Sequence, residues 1–155
     1  MISLKNKTFQ ILLHVLLPIF VGGLIYLLFR SKSLIMFNWF DTIGILDFIQ
    51  TFRNYFIGIK EIVPIWVNYS LPDALWVYSF TSTILLFESN WKVLKFWLLV
   101  PFLFGPLIEI FQLFRLFPGT FDPSDLLFTS IAFITSILIF NYKILQNEKT
   151  TIQNI

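Results

Sequence analysis

The run FQILLHVLLPIFVGGLIYLLF, residues 9–29, decides the class of this protein. It holds no Asp, Glu, Lys or Arg. A helix rising ~1.5 Å per residue needs roughly 20 apolar residues to cross ~30 Å of hydrocarbon, and this run is long enough. Lys5 and Lys7 precede it and Arg30 closes it. It is longer than the apolar core of a secretory signal, and no small-x-small site precedes Arg30, so it reads as an uncleaved anchor. Three further stretches qualify as spans: 71–87, 93–114 and 125–142. The expected fold is all-α, a single integral membrane domain over 1–155. It is a four-helix bundle with an additional amphipathic interfacial helix between the first and second spans.

Composition agrees. The chain has 155 residues, 57% hydrophobic and 13% charged, with mean hydropathy +0.79. Soluble chains are about a quarter charged, and a core of this size in water could not hide so much apolar surface. Cys is absent, which excludes disulfides, thiolate nucleophiles and Cys-ligated metals. The lone His14 cannot build a multi-His metal site, so no metal or cofactor is expected. A net charge of +2, scattered along the chain, gives no nucleic-acid footprint. Membrane lipids are the expected partners, and the oligomeric state stays open.

Lys5, Lys7, Lys92, Lys95, Lys143 and Lys149 fall on one side of the expected membrane, and Arg30, Lys32, Arg53, Lys60 and Arg115 on the other. The cations in short segments near span ends place both termini in the cytoplasm, in a bacterial inner membrane. Most carboxylates then face outward.

The connection 31–70 is more than a loop. Within 42–59, Ile45, Phe48, Ile49, Phe52, Phe56 and Ile59 recur at helical spacing, with Asp47, Gln50, Thr51, Asn54 and Gly58 opposite them. Asp41 is the expected N-cap. Such a helix either lies in the outer interface, flanked by Trp39, Trp66 and Tyr69, or packs over the bundle as a lid. The polar tail after Tyr142 is expected to fray.

Glu109 stands inside the third span, where a charged carboxylate costs a few kcal/mol unless paired or protonated. Gly105, Glu109 and Gln112 share one helix face, and Pro101 and Pro106 are expected to interrupt that helix. After Arg115, Pro118-Gly119 makes a turn, and Asp122, Pro123 and Asp125 fit the N-cap, first and third positions of the last helix. Asp125, Thr129, Ala132 and Ser136 continue one face whose small side chains let another helix approach. Ser70-Leu71-Pro72-Asp73 repeats the capping pattern at the second span. Asp73, Glu109, Gln112, Arg115, Asp122 and Asp125 are therefore the candidate ligand-binding residues, converging at the outer end; no catalytic residue is assigned. His14 lies roughly 16 Å from Glu109 along the membrane normal, so it reads as a packing residue and not as a catalytic partner.

The pattern Glu109-x-x-Gln112, Pro118-Gly119, Phe121-Asp122-x-x-Asp125-Leu126-Leu127 resembles the VanZ-like family of small bacterial multi-helix membrane proteins. The match covers residues 95–140. Thr120 stands where that family usually has Arg, Thr129 where it has Asn, Ala132 where it has Gly, and Val77 where some members have His. The family's association with glycopeptide resistance implies an envelope protein. Three functions stay open: binding of a lipid headgroup, cell-wall precursor or glycopeptide-like ligand at the outer polar pocket; a structural or accessory subunit; and an enzyme acting on a lipid-linked substrate.

Overall fold

The computed structural model describes the backbone of residues 4–117 and 119–153 and the side chains of 7–117 and 119–140. Expectations on Pro118 and on the side chains of Lys5, Lys143 and Lys149 lie outside these. The described residues form helices and no strand. The first helix, α1, covers 4–29 and contains a π-helical turn at Leu12–Leu16. Three short helices follow: α2 (Ile35–Thr42), α3 (Leu46–Tyr55) and α4 (Ile57–Ile62). Three long ones complete the fold: α5 (Ile65–Phe87), α6 (Trp91–Leu113) and α7 (Pro123–Gln153). Lys7–Phe29, Trp91–Leu113 and Pro123–Phe140 are long and apolar enough to cross a membrane.

Helix α5 is also long, at 23 residues, but is not among the helices apolar enough to cross a membrane. The reason is its place in the bundle. It packs most extensively on α7, then on α1, and more lightly on α6. Asn68, Ser70, Ser79, Thr81 and Ser82 are buried along it. Three of them find partners on neighbouring helices or on the helix itself, whereas Asn68 Oδ1 and Ser70 Oγ are buried without one. Ser79 donates to the Val15 carbonyl at 2.8 Å, Ser82 and Ser136 hydroxyls lie 2.9 Å apart, and Thr81 donates to Val77 O at 2.8 Å. Pro18 has no N–H to return to the preceding turn, and the π turn closes with Leu17 N donating to Leu12 O. The Ser79 hydroxyl meets the backbone where that disruption falls.

Several expectations change here. The second long helix begins at Ile65, with Pro64 as N-cap, and Pro72 sits inside it. Asp73 is therefore not at a helix start. Packing holds Pro72 mid-helix: its carbonyl lies 3.3 Å from where a Cβ on Gly22 would stand, so α1 comes close at this turn. The 42–59 segment is not one helix. Gly44, at φ +74, separates α2 from α3, and Asp41 lies within α2 instead of capping a helix. Ile49 is buried, whereas Phe48, expected on the same face, is 72% exposed. Pro101 and Pro106 do not interrupt α6; both are held inside a continuous helix. The polar segment after Tyr142 continues α7 to Gln153.

The expected small-residue contact is present. Pro101, Gly105 and Glu109 form the buried stripe of α6. A Cβ on Gly105 would stand 2.7 Å from Thr129 Oγ1, which is itself tied to Asp125 O at 2.7 Å. We predict that Gly105→Ala lowers stability by about 1–3 kcal/mol despite the better helix propensity of Ala. Gly23→Ala, with nothing within 4 Å of the new methyl, should be neutral or raise it. Unfolding titrations in detergent decide this, and Gly105→Ala/Thr129→Ala should recover part of the loss.

Candidate functional site

The polar residues gather at the end of the bundle where α1 and α6 finish and α5 and α7 begin. Helix α6 closes at Leu113, and the chain reverses through Arg115 at φ +57. Leu116 N donates to Phe111 O at 2.8 Å and Arg115 N to Gln112 O at 3.0 Å. This bond pair is a Schellman closure, which normally places Gly at the left-handed position. At Gly119, φ is +131, and an added Cβ would overlap the Gln112 amide, so Gln112 packs over that turn.

Glu109 is 3% exposed. Its Oε2 accepts the Asp122 backbone N–H at 2.8 Å. Asp122 in turn accepts Ser124 N–H at 2.8 Å through Oδ1, which makes it the N-cap of α7, with Pro123 in the first turn as the sequence indicates. Asp125 follows in that turn, where a carboxylate faces the positive end of the helix dipole. Its Oδ1 is buried without a hydrogen-bond partner.

Across the cluster, Asp73 lies 3.7 Å from the Arg30 guanidinium. Arg30 also donates to Tyr69 O at 3.0 Å and lies against the rings of Tyr26 and Tyr69, at 4.7 and 4.8 Å from their centroids. Its Nε is buried with no acceptor. Asp73 interacts electrostatically with Asp125 and Glu109 as well as with Arg30. The structure thus brings together Asp73, Glu109, Asp122 and Asp125, with Gln112 at the adjoining turn. Among the described residues, no group of three His, Asp or Glu has metal-site geometry.

Arg115 does not join them. It is exposed at the α6 closure, and its left-handed backbone directs it out of the cluster's helix face. Arg30 takes the cationic place instead, from the end of α1. Arg53 is the second residue that sequence spacing did not single out. Its guanidinium donates to Leu27 O at 2.8 Å and Arg30 O at 2.7 Å, capping α1 from α3. Burial lowers the Arg53 pKa below its ordinary value. The sequence around Arg53 carries no local sign of this, because its acceptors lie 23 and 26 positions away. His14 is remote from the cluster, as expected: its Nδ1 is hydrogen-bonded to the Tyr78 hydroxyl at 2.6 Å, and its ring meets Phe140 edge-on.

Comparison of the chain with protein-family models, curated proteins and solved structures gives no match. The site therefore stands on its own geometry. Since Arg115 serves only the backbone turn, Arg115→Gly should leave the fold intact and raise stability by up to about 1 kcal/mol, by relieving the left-handed strain. A marked loss in a thermal melt would mean that the side chain holds a contact the turn alone does not explain.

Proposed function

We propose that this is a VanZ-like protein of the bacterial inner membrane. In this reading four helices cross the bilayer, α5 among them, and both termini lie in the cytoplasm. Helices α2–α4 rest at the outer interface. The polar end of the bundle recognises a lipid headgroup, a cell-wall precursor or a glycopeptide-like ligand. One observation supports it above the rest. Arg30 Nε and Asp125 Oδ1 are both buried and unpartnered beside Asp73 and Glu109. Leaving such groups unsatisfied costs roughly 1–3 kcal/mol each, more when charged, so a polar ligand that bridges them gains what the empty site loses. The exposed apolar side chains of Phe48, Ile62 and Ile65 near this end fit an interfacial setting.

A structural role is the second reading, and a specific observation favours it. The Glu109–Asp122 bond and the Asp122 cap use these carboxylates to hold the turn between α6 and α7.

The two readings part on charge-removing, shape-preserving variants. Glu109→Gln keeps an acceptor for Asp122 N–H, and Asp125→Asn keeps the helix start. For a ligand site, both variants fold and insert like the parent. Each loses at least about tenfold, or 1.4 kcal/mol, in retention of the envelope lipids or precursors that native mass spectrometry finds on the purified protein. Parent-like retention in both would leave the structural role standing. Orientation is tested by a cysteine at Asn54, which should react with an impermeant thiol reagent in intact cells; labelling only after lysis would reverse the topology.

A further inference from the structure

A second polar feature lies beside the carboxylate cluster and has the opposite charge. A cleft of about 330 Å³ opens between the end of α1 and the short helices. Arg30, Lys32, Arg53 and Lys60 line it, with Ser31 and Asn54, and no carboxylate does. Four cations around one cleft repel each other unless an anion sits among them. Protein groups offset little of this charge. The single ion pair among the described residues is Arg30–Asp73, which leaves Lys32, Arg53 and Lys60 without a carboxylate. Lys32 makes only a long 3.4 Å bond to Gln50 Oε1. Arg53 is fixed in place by the two carbonyls it caps, and its planar fork keeps further N–H donors. The buried Arg30 Nε is a donor with no acceptor.

We propose that this cleft binds a phosphate-bearing anion, and that the anion is the headgroup of an acidic membrane lipid. Guanidinium forks and ammonium groups together match a phosphate's several oxygens. The volume lies at the lower end of small-ligand pockets. Depth selects the lipid. The apolar span Lys7–Phe29 ends one residue before Arg30, so the cleft opens at the level where hydrocarbon gives way to headgroups. The rest of the lining, Leu28, Phe56 and Ile57, is apolar, and Ile57 is exposed beside the cations. Acyl chains lying along those side chains would leave the phosphate facing the four cations. This inference rests on the membrane setting of the proposed function, but not on its carboxylate site.

The test uses the full chain in nanodiscs of phosphatidylcholine with and without phosphatidylglycerol, with bound lipid counted by native mass spectrometry. Lys32 and Lys60 are exposed and hold no helix together, so Lys32→Gln/Lys60→Gln should fold normally. Each lysine near an anionic surface is worth roughly fivefold, so the double variant should retain phosphatidylglycerol about 25-fold less well. Lys92→Gln/Lys95→Gln, at the opposite end, should retain it like the parent. Inorganic phosphate gives the other arm. If it stabilises the detergent-solubilised parent but not the Lys32/Lys60 variant, and phosphatidylglycerol shows no preference, the anion site stands and its lipid source is overturned. Equal lipid retention and equal phosphate response in parent and double variant would overturn the site itself. Failure of Glu109→Gln or Asp125→Asn to lose ligand would not bear on it, since neither residue lines the cleft.

Discussion

Helix α5 carries polar side chains into the centre of an apolar bundle, and the hydrogen bonds and ion pair that several of them make to its neighbours tie the bundle together. Ser79 is satisfied by the Val15 carbonyl of α1 and Ser82 by Ser136 of α7. Asp73 is paired with Arg30 at the end of α1. Each bond ties α5 to a different helix or a different level of the same one. Buried within the bundle, the bonded hydroxyls have no water to turn to, so separating the helices costs more than lost packing. The apolar part of the core, where Val15, Leu85, Leu94 and Phe140 meet, lies towards the chain termini. Polar and apolar packing thus occupy successive levels of one bundle.

The same logic shapes the opposite end. Charged side chains serve there as caps. Arg53 closes α1 from a helix that follows it, and Glu109 accepts the N–H of Asp122, the N-cap of α7, from a helix that precedes it. Because caps and candidate ligand groups are the same residues, binding and stability are coupled at this end. A ligand that engaged Asp125 or Arg30 would also tighten the turns those residues sit on. The two kinds of polar site, carboxylate-rich and cation-rich, meet at Arg30, which pairs with Asp73 on one side and lines the basic cleft on the other.

Much of this was readable in the chain. The apolar runs located α1, α6 and α7. Asp122-Pro123 marks the start of α7, and the small side chains at Thr129, Ala132 and Ser136 mark a face that another helix approaches. Helical periodicity is a local property and carries these signals. What it could not carry was tertiary override. Ser70-Leu71-Pro72-Asp73 has the chemistry of a helix start, yet the close approach of Gly22 and the stacking of Trp76 on Tyr26 hold Pro72 mid-helix. The 42–59 pattern has a helical period, but period does not register the left-handed Gly44 or the break at Phe56. Arg30 closes the first span and Arg53 lies in the long connection, and neither position reveals partners that are distant in sequence. Arg115 stays out of the cluster because the closure of α6 puts it in the left-handed region, which residues other than Gly seldom adopt and its sequence position does not announce.

The central claim is that α5, with its row of buried polar side chains, is the core of the protein. Amide hydrogen exchange on the full chain in lipid nanodiscs tests it most directly. Buried, internally bonded amides exchange only through costly opening, whereas those of peripheral short helices exchange through local fraying. If the account holds, the amides of α5 from Ala74 to Leu86 are protected at least as long as those of α1 and α6, and far longer than those of α2–α4. Exchange in α5 as fast as in the short helices would contradict it, and would place that helix at the edge of the bundle.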